Sequence, residues 1–114
     1  APTGSLLLQA SEEIALPTAS EVFADRTYDD DGNLTRRGDP KAMVHDPEQA
    51  VANVLHMIRH QELVSTSGKV IPAAVHSVCV HGDGPTAVAV ARAVRAGIEA
   101  EGIAVVPLPE VLSA

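Results

Sequence analysis

Val75-His76-Ser77-Val78-Cys79-Val80-His81-Gly82-Asp83-Gly84-Pro85-Thr86-Ala87 is the stretch whose reading decides the fold. A short apolar, β-branched run ends at a histidine, a Gly-Asp-Gly turn follows, and Pro85 opens a segment rich in alanine and valine. This pattern predicts a strand, a tight turn and a helix start, with polar side chains at the junction. Ligands gather at such junctions in α/β proteins, because free backbone N–H groups and the helix dipole favour anions there. His81 and Asp83, flanked by Gly82 and Gly84, are therefore the first candidates for function.

Downstream, the helix is expected over residues 85–100. Ala87, Ala91, Val94 and Ile98 line one face and Val88 and Val90 widen it, so cover on more than one side is expected. Gly102 is placed to stop it, and Ile103-Ala104-Val105-Val106 reads as a further short strand ended by Pro107. Upstream, Leu63 to Ile71 reads as a hairpin turning at Ser67-Gly68. Before it, Asp46-Pro47-Glu48 gives cap, N1 proline and first-turn acid in the favoured order. Val51, Val54, Leu55 and Ile58 then mark one face of a helix reaching about His60, with His56, Arg59 and His60 off that stripe.

Ser20-Glu21-Val22-Phe23-Ala24-Asp25-Arg26 reads as a strand ending in charge, and residues 27–46 carry turn chemistry such as Asp29-Asp30-Asp31-Gly32-Asn33. A loop of this length in a small domain is either functional or disordered. At the amino end, Ser5 is placed to cap a short helix through Glu13, too short to stand in water without packing on something.

The 114 residues suit one domain, 1–114. Apolar residues make up 46% but aromatics only 2%, so the core must be built from Ala, Val, Leu and Ile, which favours helix-on-sheet layers. The net charge of -7, with no basic stripe, argues against nucleic acid as a partner. Cys79, the single cysteine, lies in an apolar run and is expected to be a buried, inert thiol. Neither a membrane span nor a signal peptide is legible, so the expected location is the cytoplasm. The element order is that of an α/β protein with crossovers, yet three full strands leave edges and faces uncovered, so the chain is expected to be part of something larger.

Two blocks carry a resemblance. Glu21-Val22-Phe23-Ala24-Asp25-Arg26-Thr27-Tyr28, followed by Asp31-Gly32-Asn33-Leu34 and Arg37, and the block Val78-Cys79-Val80-His81-Gly82-Asp83-Gly84-Pro85 resemble, in order and spacing, those of the LamB/YcsF family of 5-oxoprolinase subunits. Gly38, Lys41 and Gly84 depart from the residues usual there. The resemblance implies a partial (β/α) barrel of the glycoside hydrolase/deacetylase type. It also implies that this is the carboxyl-terminal portion of such a barrel, completed by another chain or a missing amino-terminal half. The implied activity is ATP-dependent hydrolysis of 5-oxo-L-proline to L-glutamate, with Mg2+ accompanying the ATP and with further 5-oxoprolinase subunits as partners.

Opening a stable lactam requires a base, an acid and a group that stabilises negative charge. On this reading His81 moves the proton, Asp83 orients it or holds a metal, and Asp25 and Glu21 are alternative bases. Arg26 binds a carboxylate or phosphate, and Arg37, Gly82 and Gly84 complete the substrate- and phosphate-binding set. No spacing of metal ligands is strong enough to assign a metal site. Structural readings stand beside these. His81 can bond a neighbouring carbonyl, Asp83 can cap the helix after Pro85, and Asp25 and Arg26 can pair only with each other. Two rival functions are a metal-dependent deacetylase or amidohydrolase on a similar barrel, and a non-catalytic interaction module.

Overall fold

Ser5 turns the first extended residues into a helix, because its hydroxyl accepts the Leu8 N–H at 3.2 Å and so satisfies one free donor of the first turn. The structure, a computed structural model, describes residues 1–113. Helix α1 spans Leu6–Glu13 and buries none of its residues. Strand β1, Glu21–Phe23, pairs in parallel with β4, Ser77–Cys79, in the register Glu21 to Ser77, Val22 to Val78 and Phe23 to Cys79. On the other side of β1, Pro2 makes a parallel bridge to Glu21, so three segments run in one direction side by side.

A parallel pair requires a crossover, and here it is the loop of residues 27–46, helix α2 (Pro47–His60) and a hairpin of β2 (Glu62–Val64) with β3 (Val70–Pro72). Asp46 caps α2 by accepting the Glu48 N–H at 3.1 Å, and Gln61 ends it in the left-handed region. Gly68 turns the hairpin at φ +91°, a conformation that a side chain would strain. Helix α3 (Ala87–Ala100) follows β4, Gly102 stops it at φ +76°, and a short α4 (Leu108–Leu112) closes the described chain.

Helices α2 and α3 pack on each other, and their buried faces join fully buried Val22 and Ala24 in one core. The α2 face is centred on Ala50, Val54 and Met57, with Val51 and Ile58 at its margin. The α3 face is Val90, Val94 and Ile98, while Val88 is exposed. Cover on more than one side of α3 is thus corrected to a single stripe. The strand expected over 103–106 is also absent: those residues form no ladder, although they line a groove with Val75, Val78, Val80 and Ile98.

The long loop is held in place by its own acids. Asp31 accepts from the Asn33 backbone N–H (2.9 Å) and side-chain amide (3.0 Å), and Asp29 accepts from the Thr35 hydroxyl at 2.9 Å. Asp30 accepts from Ser65 at 2.6 Å and from Ser67 at 2.5 Å, which fastens the loop to the hairpin turn. These hydroxyls hold the Asp30 carboxyl below its usual range, and the Asn33 donors do the same for Asp31. No helix among the described residues is long and apolar enough to cross a membrane.

Candidate active site

Where β1 and β4 end, their next residues meet. Asp25, two residues past β1, is buried and accepts two hydrogen bonds from His81, two residues past β4. Its Oδ2 takes the His81 backbone N–H at 2.7 Å and its Oδ1 takes the ring Nδ1 at 2.8 Å. A carboxylate only accepts, so Nδ1 carries the hydrogen and Nε2 is left with a lone pair. Phe23 lies against the imidazole, with ring centroids 5.7 Å apart and planes 17° from parallel. Clamped on one edge and stacked on one face, the ring has a defined orientation, and Nε2 has no hydrogen-bond partner among the described residues. This is the geometry of a general base whose tautomer is set by a carboxylate.

Asp83 does not cap α3: Thr86 holds the cap position, with no side-chain cap bond. Instead the Arg37 Nη1 donates to Asp83 Oδ2 at 2.7 Å, joining the long loop to the turn after β4. Both side chains are at least half exposed, so the pair is a surface contact. The Arg37 hydrogen bond, ahead of the Asp83 backbone and the Arg37 charge, holds the Asp83 carboxyl below the usual range. Gly82 and Gly84 have open space around both of them.

Arg26 is not paired with Asp25. Its Nη2 donates to the Thr35 carbonyl at 2.7 Å, and it walls a cavity together with α2 and the hairpin turn that neither Asp25 nor His81 lines. Glu21 sits at the opposite end of β1 from Asp25, half-buried, beside a cavity of about 400 Å³ that Phe23 and Tyr28 also line. Cys79 is half-buried, and its thiol is pushed up by burial first and then by the Glu21 and Asp25 charges, as suits an inert thiol. Among the described residues no group of three His, Cys, Asp or Glu side chains stands close enough to hold a metal ion.

Two contributors escaped sequence reading. Phe23 precedes Asp25 by two positions, the spacing that puts both on one face of an extended chain, which was the available signal. Tyr28 is buried, and its hydroxyl accepts the Phe23 N–H at 2.9 Å, which steadies the residue that stacks on His81. Burial, the largest cause, pushes the Tyr28 phenol up to about 12.

The LamB/YcsF family profile matches residues 1–113. The chain is 50% identical over 103 residues to the A-subunit of 5-oxoprolinase from Rhodopseudomonas palustris strain BisB18, covering 90% of this chain and 40% of that protein. With the 5-oxoprolinase A-subunit of Methylococcus capsulatus it shares 46% identity over 107 residues, covering 94% of this chain and 41% of that one. The crystal structure of a lactam utilization protein from Thermus thermophilus is similar in fold, with a TM-score of 0.80 and 29% identity over 90% of this chain and 40% of that one. The chain thus spans about 40% of the length of the relatives it matches.

Proposed function

The chain belongs to the LamB/YcsF family, and on that premise we propose that it supplies the His81–Asp25 pair to a 5-oxoprolinase that opens 5-oxo-L-proline to L-glutamate at the expense of ATP. The observation that carries this reading is the double grip of Asp25 on His81, at 2.7 and 2.8 Å, at the carboxyl ends of two parallel strands. Relatives named as the A-subunit of 5-oxoprolinase favour it over a deacetylase, an amidohydrolase or a non-catalytic module.

In this reading His81 Nε2 takes a proton from the water that attacks the lactam carbonyl carbon, and Asp25 stabilises the imidazolium that forms. The same proton then passes to the ring nitrogen as the C–N bond breaks, leaving the open amino acid. Arg37 and Asp83 join the long loop to the turn that follows His81, with the Gly82 and Gly84 backbone beside them, and on this reading that exposed pair contributes to holding the substrate. ATP is a co-substrate: transfer of its γ-phosphoryl to the lactam oxygen, with ADP leaving, activates the carbonyl carbon. Water attack and C–N cleavage then give an acyl phosphate, whose hydrolysis by a second water yields glutamate and inorganic phosphate. Mg2+ arrives as the counter-ion of the ATP phosphates.

The remainder of the reading follows from the same family. The chain is one part, the carboxyl-terminal one, of a (β/α) barrel, works with the missing amino-terminal half and the other 5-oxoprolinase subunits, and resides in the cytoplasm, where ATP is at hand. Support for the barrel comes from the parallel pair with its crossover helix and from the similarity to the Thermus protein. The test is release of glutamate from 5-oxoproline by the reconstituted assembly, with and without ATP. Turnover that is lost on His81→Ala and requires ATP supports the reading. Turnover that survives His81→Ala unchanged overturns it.

A further inference from the structure

We propose that Phe23 is a positioning residue for His81, and that the long loop after β1 serves it by bringing the Tyr28 hydroxyl to the Phe23 backbone. This role rests on the reading of His81 as the base and goes beyond it, since the family resemblance assigns no role to either side chain. Asp25 alone does not fix the imidazole. The ring is bonded through one nitrogen, Nδ1 to Oδ1 at 2.8 Å, and a swing about that bond carries Nε2 through an arc. The Phe23 ring blocks the swing on one side: it lies 17° from parallel with the imidazole, with centroids 5.7 Å apart, inside the range of an offset stack. The His81 side chain is 24% exposed, so burial alone does not hold it.

Phe23 is held in turn by a departure from the sheet. Residues 1–3 run beside β1 as a short parallel ladder: the Glu21 N–H donates to the Ala1 carbonyl and the Thr3 N–H to the Glu21 carbonyl, each at 2.9 Å. One step further, the Phe23 N–H would go to the Thr3 carbonyl. The chain turns away at Gly4 (φ +73°) instead, and the Tyr28 hydroxyl takes that N–H at 2.9 Å. Phe23 and Tyr28 are both buried, so the N–H has no water to turn to and the phenol is its partner. Tyr28 reaches this place because its own backbone is fastened: the Thr66 N–H of the hairpin turn donates to its carbonyl at 2.8 Å, and it bridges to Leu34. Loop, hairpin and strand end thus converge on the residue that faces the His81 ring. Proton transfer requires such support, since a misplacement of about 1 Å can cost about 10²-fold in rate.

The experiment compares Phe23→Leu, Phe23→Tyr and Tyr28→Phe in the intact protein, this chain together with what completes it. Two readouts are taken: glutamate release, and NMR of the His81 ring protons, which sense the ring current of a stacked neighbour. Leucine keeps apolar bulk without an aromatic face. Phe23→Leu is expected to lower kcat about 10²-fold with KM unchanged and to move the ring protons downfield, while Phe23→Tyr keeps both near wild type. Tyr28→Phe keeps the buried ring and removes only the acceptor, and it is expected to lower kcat about 10-fold and to move the ring protons the same way. Wild-type kcat or unmoved ring protons in Phe23→Leu, or a loss of kcat that Phe23→Tyr does not restore, overturns the role. Where Phe23→Leu fails to fold, wild-type kcat and unmoved ring protons in Tyr28→Phe overturn it. An inactive wild-type assembly refutes the proposed reaction instead, and the ring protons then decide on their own whether Phe23 positions His81.

Discussion

Asp25 does two jobs with one carboxylate, holding the backbone of one strand end and the ring of His81. Its two oxygens are both occupied, so Asp25→Ala leaves two donors without a partner and is expected to cost about 1–3 kcal/mol of stability. His81→Ala, which keeps the backbone bond, is expected to cost less while lowering glutamate release about 10²–10⁴-fold. Denaturant unfolding beside turnover of the assembly separates the two, and equal stability loss with full activity would show the pair to be structural. Tyr28 offers a pH test. Its pKa rises from 10 in the open chain to about 12 in the fold, so the fold binds the proton more tightly. Stability is therefore expected to be intact below pH 10 and to fall as pH rises toward 12, a fall that Tyr28→Phe removes in denaturant titrations. That variant also leaves the Phe23 N–H unpaired, at about 1–2 kcal/mol. Sequence made His81 and Asp25 candidates but not partners, because 56 positions separate them and only the parallel register brings their strand ends together. Adjacency suggested Asp25 with Arg26 instead, but Arg26 turns to the Thr35 carbonyl and the α2 cavity.

At the scale of elements, local chemistry was legible wherever it acts locally. The Asp46 cap, the Gly68 turn and the Gly102 stop each satisfy or permit backbone geometry within a few residues, and the structure has all three. The strand expected over 103–106 needed a ladder partner, which no local pattern guarantees, and its β-branched residues remain outside any sheet. The close approach of α2 and α3 was likewise hidden, since it depends on what faces Gly97. A Cβ there would stand 2.5 Å from Val51 Cγ1, so the glycine is required by the neighbouring helix and not by its own conformation. Gly97→Ala gains about 1 kcal/mol of helix propensity but is expected to lose roughly 1–3 kcal/mol to overpacking, a net loss or near balance. Val51→Ala in the same chain removes the clash, so the double variant is expected to be more stable than the sum of the two single changes. Strict additivity in a denaturant double-mutant cycle would show that the two helices yield without strain.

For the molecule as a whole, the decisive contrast is between a well-buried core under β1, α2 and α3 and an apolar surface that none of the described residues covers. Leu6 is 81% exposed and Ile14 70%, α1 buries none of its residues, and β4 has a sheet neighbour on one side only. An eight-residue helix in this state is marginal, because nucleation is costly and no packing face offsets it. Its length alone already required α1 to pack on something, and the relatives, of which this chain spans about 40%, provide room for that partner within the proposed barrel. Hydrogen exchange measures the consequence. In the chain alone, amides of α1 are expected to exchange nearly as fast as in an unfolded peptide, while those of α2 and α3 are protected through the shared core. In the completed assembly, the α1 amides and those on the open side of β4 are expected to slow at least ~10-fold, with little change in α2. If α1 exchanges equally fast in both, its apolar face is not what the rest of the protein covers, and completion of the barrel across that face is excluded.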